Sequence, residues 1–227
     1  LSEAMLDALC CGITEAGGDA GVRAVVIAAK GTTFCAGHDL EEMLAHDDHA
    51  WQQAHFDRCS RLMLSIRNCQ KPFIARVQGA AVAAGCQLVA TCDLAYAVET
   101  AKFGINGVNI GLFCSTPMVA LSRNVPRKPA MEMLLTGDFI EAEDAFRLGL
   151  VNKVVPPERL EEAFDGMVSR LLDKPREVLA LGKRAYYRQL EMGLEEAYAF
   201  TTGVIVDNAL GKDFQEGLAA FLEKRAP

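Results

Sequence analysis

Two short loops in the sequence could turn backbone N–H groups toward one ligand. In the first loop, Gly37 permits a close turn, so that the N–H of His38 can point into a pocket. In the second, residues 83–85 lead into a helix, whose first N–H groups, including that of Ala84, have no intrahelical acceptor. Two such N–H groups facing one carbonyl oxygen would stabilise an enolate-like oxyanion. Each loop alone is also compatible with an ordinary strand-to-helix turn.

Side chains near these loops could add chemistry. Cys114 would be a nucleophile if the pKa of its thiol were lowered, although a cysteine in an apolar stretch is more often simply packed. The His38 imidazole titrates near neutrality and could move a proton, or it could equally face solvent or bond the neighbouring loop. Asn106 and Asn109 could orient a water or a carbonyl group, although asparagine is common in turns.

One group of residues has the composition of a metal site: His46, Asp47, Asp48, His49 and His55. Their irregular spacing and charged, loop-like setting favour a solvated surface, so we predict no metal. No GxGxxG follows a strand and no GxSxG is present, so neither dinucleotide binding nor serine hydrolase chemistry is supported.

The periodicity of apolar residues predicts strands that alternate with helices, followed by helices alone. The segment 22–29 is a short β-branched run, which is typical of a strand buried on both faces. Strands are also predicted at 73–77, 93–98 and 150–155, and loops at 30–38 and 79–85. Helices are predicted at 1–16, 48–68, 86–91, 141–148, 158–173, 175–191 and 194–224, the last broken near residue 211. The segment 115–136 is predicted to be helical with interruptions at Pro117, Pro126 and Pro129.

Composition limits the classes of function. The chain has 227 residues, 51% of them hydrophobic, which suits one domain with a sizeable core. A formal net charge of −7 argues against nucleic acid and anionic membranes as partners. No run of about 18 apolar residues indicates a membrane span, and no secretory leader is visible. The eight cysteines, without CxxC spacing, are expected to be reduced thiols in a bacterial cytoplasm or a mitochondrial matrix.

Taken together and in order, the two loops and their flanks resemble the crotonase (enoyl-CoA hydratase/isomerase) superfamily. The matching stretches are KGTTFCAGHDLEEM, KPFIARVQGAAVAAGCQLVATCDLAYA, AKFG and LTGDFIEAEDAFRLGLVNKVVP. The resemblance covers nearly the whole chain and implies an α/β fold, a crotonase-like spiral of ββα units. The core would span 1–156, with two family strands expected before Leu1, and a helical trimerisation region would span 157–227.

The resemblance implies an acyl-CoA ligand and no separate cofactor, because CoA is part of the substrate. It also implies a homotrimer or a dimer of trimers. The oxyanion donors would be the backbone N–H groups of His38 and Ala84. Glu41 replaces a lysine common in the family, which weakens one expected contact with the CoA phosphates. The residues implied to bind substrate are His38, Asp39, Leu40, Glu41 and Ala84, together with Phe221 and Lys224, which in relatives reach the CoA of a neighbouring subunit.

The sequence departs from the family where hydratases carry their two catalytic glutamates. Gln87 has no titratable proton and Gly107 has no side chain, whereas hydration needs a base to activate water and an acid to protonate carbon. Two hypotheses follow with equal weight. One is an acyl-CoA enzyme that needs little carboxylate help or uses His38 or Cys114; the other is an acyl-CoA-binding protein with weak catalysis. Under the second, Gln87→Glu with Gly107→Glu is predicted to begin restoring hydration.

Overall fold

A computed structural model describes residues 1–226 of the chain. Strands and helices alternate up to residue 155, and only helical elements follow, which confirms the α/β fold class. The strands are β1 (Val25–Ala28), β2 (Thr33–Cys35), β3 (Phe73–Val77), β4 (Ala80–Val82), β5 (Leu94–Val98), β6 (Lys102–Gly104), β7 (Phe139–Glu141) and β8 (Lys153–Val155). The helices are α1 (Glu3–Gly18), α2 (Leu40–Ala45), α3 (His49–Asn68), α4 (Ala84–Thr91), α5 (Pro117–Leu121), α6 (Arg127–Thr136), α7 (Ala142–Arg147), α8 (Leu160–Leu172), α9 (Arg176–Gln189), α10 (Leu194–Ala209) and α11 (Lys212–Glu223).

The strands form two four-stranded sheets. The first has the order β1-β3-β5-β8 and is parallel throughout. The second has the order β2-β4-β6-β7 and is parallel except where β6 meets β7. Parallel neighbours need crossover connections, which here contain the helices, and this explains the strand–helix alternation of the sequence.

The strands of the first sheet lie within the segments that the sequence predicted to be strands, but the first of them is less buried than predicted. The central strand β3 has fully buried side chains at Phe73, Ile74 and Ala75, as its apolar run predicts. The prediction that 22–29 is buried on both faces was wrong. In β1, half-buried and exposed residues alternate, and the side chain of Val26 is 41% exposed. β1 lies at the edge of the sheet, where a β-branched run can be only half covered.

The second sheet was not predicted from the sequence, and it is the sheet that places the two loops. Its four strands have three residues each. β2 and β4 fall in segments that were predicted to be loops. Each has only three residues, TFC in β2 and AAV in β4, which are too few to show an alternation of apolar and polar side chains. β2 and β4 pair in parallel, so the loops that follow them leave from the same edge of the sheet.

The C-terminal helices follow the last strand as predicted, with a break at Gly211 that separates α10 from α11. Several large apolar side chains of these two helices are exposed: Leu194, Tyr198, Ile205, Leu210 and Phe221. Within residues 1–226, no helix combines the length and apolar character that crossing a bilayer requires. The division into a core and a helical region at residue 156 stays a prediction, and residue 227 lies outside the described residues.

Candidate active site

The two small-residue loops meet at the start of α4. A Cβ atom built on Gly85 would lie 2.2 Å from the carbonyl oxygen of Cys35, so only glycine allows the helix to approach β2 this closely. Gly37 has a φ of +103°, in the region that favours glycine, and Val82 and Ala83 lie beside it. The structure therefore brings the loops together, as the sequence analysis predicted.

The backbone at the start of α4 is held in an uncommon conformation. Ala83 has a φ of 50° and a ψ of −115°, which a non-glycine residue rarely adopts. Its N–H donates to the carbonyl oxygen of Gly104 at 2.8 Å, which fixes the turn. Ala84 is the first residue of the helix. Within residues 1–226, no backbone acceptor is found for the N–H of Ala84 or for that of His38.

A cavity of about 390 Å³ lies in front of these two residues. Its walls are mostly apolar, and no aspartate or glutamate is among the described residues that line it. The lining includes Ala36, His38, Leu40, Met43, Phe56, Ala83, Ala84, Asn106, Gly107, Asn109, Ile110, Leu112, Phe113, Cys114, Ser115, Thr116 and Pro117. The cavity thus contains both predicted oxyanion donors, but no group that is ionised as a carboxylate.

The predicted CoA-binding residues divide between this cavity and the surface. Leu40 lines the cavity, whereas Asp39 caps α2 by accepting hydrogen bonds from the N–H groups of Glu41 and Glu42. Glu41 is exposed in the first turn of that helix. Their contact with CoA stays a prediction.

The C-terminal pair lies on α11 and outside the lining of the cavity. The side chain of Phe221 is 79% exposed. Lys224 follows the last turn with a φ of 56°. Their predicted contact with a neighbouring subunit's CoA also stays a prediction.

Gln87 and Gly107 occupy different surroundings. Gln87 is 4% exposed, and its Oε1 lies 3.9 Å from the Sγ of Cys59, a weak donor. It does not line the 390 Å³ cavity but a second cavity of about 750 Å³ between α3, α4, α5 and α9. Gly107 does line the first cavity, in a 3₁₀ turn over Gly107–Ile110. Only one of the two positions thus faces the space in front of the predicted oxyanion donors.

The space beside Gly107 is already filled. A Cβ atom at this position would lie 2.4 Å from the carbonyl oxygen of Leu112 and 2.6 Å from the Sγ of Cys114. Leu112 also donates its N–H to the carbonyl oxygen of Gly107 at 3.0 Å, which holds the loop against it. A glutamate at 107 therefore requires the loop to move. The prediction that the double substitution begins to restore hydration stays a prediction, and it requires this movement of the loop.

Cys114 does not meet the condition set for a nucleophile. Its side chain is 8% exposed, and burial raises the pKa of the thiol, with a partly opposing hydrogen bond from the Gly107 backbone. The thiolate is the reactive form, so a raised pKa leaves little of it at neutral pH. Of the two alternatives given for Cys114, its burial and the raised pKa of its thiol favour packing over a nucleophile.

The His38 side chain neither faces solvent nor bonds its own loop. Its Nδ1 lies 2.8 Å from Nε2 of His55 on α3. Burial, and then the neighbouring imidazole, lower the pKa of His38 to about 4, and burial also lowers the pKa of His55. Both rings are therefore neutral at pH 7. The second nitrogen of each ring, Nε2 of His38 and Nδ1 of His55, is buried without a hydrogen-bond partner in residues 1–226.

His55 is the site residue that the sequence analysis missed. It was grouped with the solvated residues 46–49, which are indeed exposed, but His55 itself is completely buried. Within residues 1–226, no group of three potential ligands is placed to hold a metal ion. A usable signal was present, because His55 shares a helical stripe with Cys59, Leu62 and Ile66, which are all buried.

Comparisons with known proteins agree on one family. The sequence profile described as enoyl-CoA hydratase/isomerase matches residues 1–227. The mitochondrial enoyl-CoA hydratase domain-containing protein 3 of Rattus norvegicus is 46% identical over 227 residues, covering 100% of this chain and 76% of the relative. The human protein of the same name is 45% identical over 227 residues, covering 100% of this chain and 75% of the relative.

Solved structures give the same result. The crystal structure of an enoyl-CoA hydratase from Mycobacterium smegmatis superimposes with a TM-score of 0.98 at 52% identity, covering 100% of this chain and 88% of that chain. The crystal structure of the human domain-containing protein 3 superimposes with a TM-score of 0.96 at 45% identity, covering 100% of this chain and 90% of that chain.

Proposed function

The chain belongs to the enoyl-CoA hydratase/isomerase, or crotonase, family, and from this premise we propose that it binds an acyl-CoA thioester in the 390 Å³ cavity. The thioester carbonyl oxygen accepts hydrogen bonds from the backbone N–H groups of His38 and Ala84. The observation that carries this proposal is that both N–H groups lack a backbone acceptor in residues 1–226 while their residues line one cavity. Such donors, fixed before the ligand arrives, favour the charge that develops on an enolate oxygen.

We propose further that hydration of an enoyl thioester is slow in this protein. Positioned acids and bases contribute typically ~10²–10⁴-fold to such reactions, and hydratases of the family use two glutamates. Here Gln87 and Gly107 supply no such group, and no carboxylate is found among the described residues of the cavity wall. The protein is then either a weakly catalytic acyl-CoA-binding protein, or a lyase or isomerase that moves protons through His38. The lack of carboxylates favours the first, and the presence of His38 in the cavity wall favours the second.

The remaining parts of the proposal concern assembly and setting. We propose a homotrimer or a dimer of trimers, because α10 and α11 expose several large apolar side chains. Contact between subunits would remove this apolar surface from water. In that assembly Phe221 and Lys224 reach the CoA of a neighbouring subunit. No cofactor is needed beyond the CoA of the substrate. Several relatives are named mitochondrial, so a mitochondrial matrix or a bacterial cytoplasm and a role in fatty acid metabolism are proposed.

The test compares ligands that differ at the carbonyl oxygen alone. Calorimetry is performed with butyryl-CoA and with S-butyl-CoA, a thioether in which a methylene replaces the carbonyl group. Each of two hydrogen bonds contributes about 0.5–1.5 kcal/mol, so the thioester is expected to bind about 5-fold to 150-fold more tightly. Equal affinities would refute the oxyanion donors, and no binding of butyryl-CoA would refute the proposed ligand.

A kinetic assay on the same protein tests the statement about hydration. Crotonyl-CoA hydration is followed beside a family hydratase that carries both glutamates. The expected rate is at least about 100-fold lower than that of the hydratase, because the acid–base groups are missing. An equal rate would show that another group replaces the glutamates in water addition.

A further inference from the structure

The second cavity, of about 750 Å³ between α3, α4, α5 and α9, is lined by one buried side chain with an unused donor. This side chain is Gln87, which is 4% exposed. Within residues 1–226, the only hydrogen bond found for it is the 3.9 Å contact between its Oε1 and the Sγ of Cys59. Its Nε2 therefore donates to no protein group. Nearly all buried polar groups in proteins have a partner, so this unused donor needs an explanation.

The Nε2 of Gln87 is accessible rather than enclosed by protein atoms. Within residues 1–226, the side-chain atoms that are both inaccessible and without a partner are Nε of Arg23, Nε2 of His38 and Nδ1 of His55. The Nε2 of Gln87 has no partner and does not belong to this group, so it has accessible surface. The space that Gln87 borders is the 750 Å³ cavity. A ligand in this cavity can accept a hydrogen bond from the amide.

The exposed part of the same cavity wall carries two guanidinium groups that share one carboxylate. Nη2 of Arg67 lies 2.7 Å from Oε1 of Glu191, and Nε of Arg123 lies 4.0 Å from the same oxygen. The side chains of Arg123 and Glu191 are each 53% exposed. These three groups leave one positive charge without a counter-charge. A carboxylate already lies between the two guanidinium groups, so the planar donors suit a second carboxylate as a monoanionic ligand group.

The rest of the wall limits what the ligand carries at its other end. Asp93 also lines the cavity, but it accepts hydrogen bonds from Lys183 at 2.6 Å and from Tyr187 at 2.8 Å, so its charge is compensated. Met63 and Ala90, like Gln87, belong to the buried part of the wall, and each is 7% exposed. A neutral amide does not compensate a second buried charge, which would be costly there. The acceptor for Gln87 is therefore a neutral oxygen, as in a hydroxyl group or a ketone.

We propose that the 750 Å³ cavity binds a hydroxy- or oxo-carboxylic acid. The carboxylate of the ligand lies between Arg67 and Arg123, its alkyl chain contacts the apolar wall, and its hydroxyl or ketone oxygen accepts from Nε2 of Gln87. A mostly apolar cavity of this volume with a few polar groups is typical of small-molecule sites. The inference does not rest on the proposed thioester, which occupies the 390 Å³ cavity. It gives Gln87 a role in recognition instead of proton transfer.

The first experiment compares acids that differ in one oxygen atom. Calorimetry, below the concentration at which micelles form, compares 6-hydroxyhexanoate, 8-hydroxyoctanoate and 10-hydroxydecanoate with the fatty acid of the same chain length. One hydrogen bond makes the best hydroxy acid bind about 2-fold to 10-fold more tightly than its fatty acid. The hydrophobic effect alone would favour the fatty acid, which is more apolar. No binding of any hydroxy acid, or tighter binding of every fatty acid than of its hydroxy acid, would overturn the inference.

The variant Gln87→Leu tests the amide, because leucine fills a similar volume without a donor. The hydroxy acid is expected to lose about 2-fold to 10-fold in affinity while the fatty acid does not, so the preference between the two ligands disappears. Both ligands are measured on the same variant, so a general change in the fold cancels in the comparison. A preference that persists in Gln87→Leu would show that Gln87 does not bind the ligand oxygen.

The variant Arg123→Gln tests the other end of the ligand and does not depend on the folding of Gln87→Leu. It is expected to weaken binding of the hydroxy acid and of the fatty acid alike, by about 10-fold, because a hydrogen bond to a charged group is lost. Arg159→Gln is the matched control, since it removes one positive charge from an exposed side chain that lines neither cavity. Equal losses in the two variants would show that net charge, rather than this site, attracts the acid.

Competition separates the two cavities. The best hydroxy acid is titrated with and without saturating butyryl-CoA, and its affinity is expected to change by less than about 2-fold. Loss of its binding in the presence of butyryl-CoA would show that it occupies the 390 Å³ cavity and would overturn the inference. If butyryl-CoA itself does not bind, the proposed thioester function fails, while the comparisons of acids and variants still decide whether the second cavity binds the hydroxy acid.

Discussion

Two polar clusters within residues 1–226 differ in whether their hydrogen bonds are complete. In the first cluster, Lys183 of α9 donates to Oδ2 of Asp93 at 2.6 Å. Its other two bonds go to the carbonyl oxygens of Ile66 and Lys71, each at 2.9 Å. Asp93 also accepts from the hydroxyl of Tyr187 at 2.8 Å. All three donors of the ammonium group are used, and the cluster ties α9 to the first sheet.

The histidine pair beside the cavity is the opposite case. His38 and His55 share one hydrogen bond, and one nitrogen of each ring has no partner in residues 1–226. An unpaired buried polar group costs roughly 1–3 kcal/mol. This fold therefore satisfies a buried charge completely where the role is structural, whereas the histidine pair keeps one hydrogen bond and leaves one nitrogen of each ring without a partner in residues 1–226.

The largest effect is expected from breaking the complete cluster. Lys183→Met removes the partner of a carboxylate whose side chain is 17% exposed, and the ammonium side chain it replaces is 7% exposed. Breaking a buried pair in this way typically costs about 3–5 kcal/mol of the free energy of unfolding. Chemical denaturation followed by circular dichroism measures the change.

A matched control for this cluster is the exposed pair Arg159–Glu162, whose side chains are 64% and 72% exposed. Arg159→Met is expected to cost less than about 1 kcal/mol, as exposed pairs usually do. If Lys183→Met lowers the free energy of unfolding no more than Arg159→Met does, the cluster of Lys183, Asp93 and Tyr187 does not stabilise the fold.

The next effect concerns the wall of the cavity. Gly107→Ala places a Cβ atom 2.4 Å from the carbonyl oxygen of Leu112, so the loop must shift, at a cost of about 1–3 kcal/mol. Butyryl-CoA affinity is expected to fall as well, because Gly107 lines the cavity. For the same reason we expect Gln87→Glu with Gly107→Glu not to restore hydration. Denaturation, calorimetry and the crotonyl-CoA assay measure these changes.

Gly166 provides the control for a glycine with free space. It lies within α8, and a Cβ atom there meets nothing within 4 Å. Gly166→Ala is expected to stabilise the protein by about 0.4–1 kcal/mol and to leave affinity unchanged. If Gly107→Ala also stabilises the protein, the loop is not fixed against this position.

The histidine pair should make stability depend on pH. The pKa of His38 is about 4 in the folded chain, against 6.5 as its ordinary value. Between these values the unfolded chain binds more protons, so the contribution of His38 is present above pH 6.5 and is lost as pH falls toward 4. From about pH 7 to about pH 5, the free energy of unfolding of the wild type should therefore fall by on the order of 1 kcal/mol relative to that of His38→Gln.

Denaturation curves at several pH values check this, with His49→Gln as the control because His49 is exposed. The control should keep the pH dependence of the wild type. A pH-independent difference between the wild type and His38→Gln would mean that the His38 ring is not held neutral by its burial.

The sequence predicted the longer elements well because each carries enough residues to show a period. The helix predicted at 48–68 is α3, His49–Asn68, and the strand predicted at 73–77 is β3. The three-residue strands of the second sheet were missed, since pairing across the sheet, rather than local pattern, makes them strands. The burial of β1 was overestimated because its own sequence does not show that this strand lies at the edge of the sheet.

The site was predicted only as far as backbone loops and small residues allow. The meeting of the Gly37 and Ala84 loops was implied by the family resemblance, because the glycine and helix-start patterns alone also fit ordinary turns, and the structure brings the loops together. The link from His38 to His55 joins residues 17 positions apart on different elements, and no spacing rule indicates it. The filled space beside Gly107 depends on the path of the loop back to Cys114, which sequence does not give.

The smallest effect is expected at Ala83, the residue that sets the direction of the Ala84 N–H. Its φ of 50° and ψ of −115° suit glycine, so Ala83→Gly removes strain of about 1 kcal/mol, partly offset by the entropy of glycine in the unfolded chain. We therefore expect a small gain in stability together with weaker butyryl-CoA binding, because the turn is less firmly held. Ala90→Gly in the same helix should instead cost roughly 0.5–1 kcal/mol without a gain anywhere. If Ala83→Gly raises the free energy of unfolding and Ala90→Gly lowers it, the backbone strain lies in the loop that presents the Ala84 N–H. If both variants lower the free energy of unfolding, Ala83 is not strained and the sheet alone orients the Ala84 N–H.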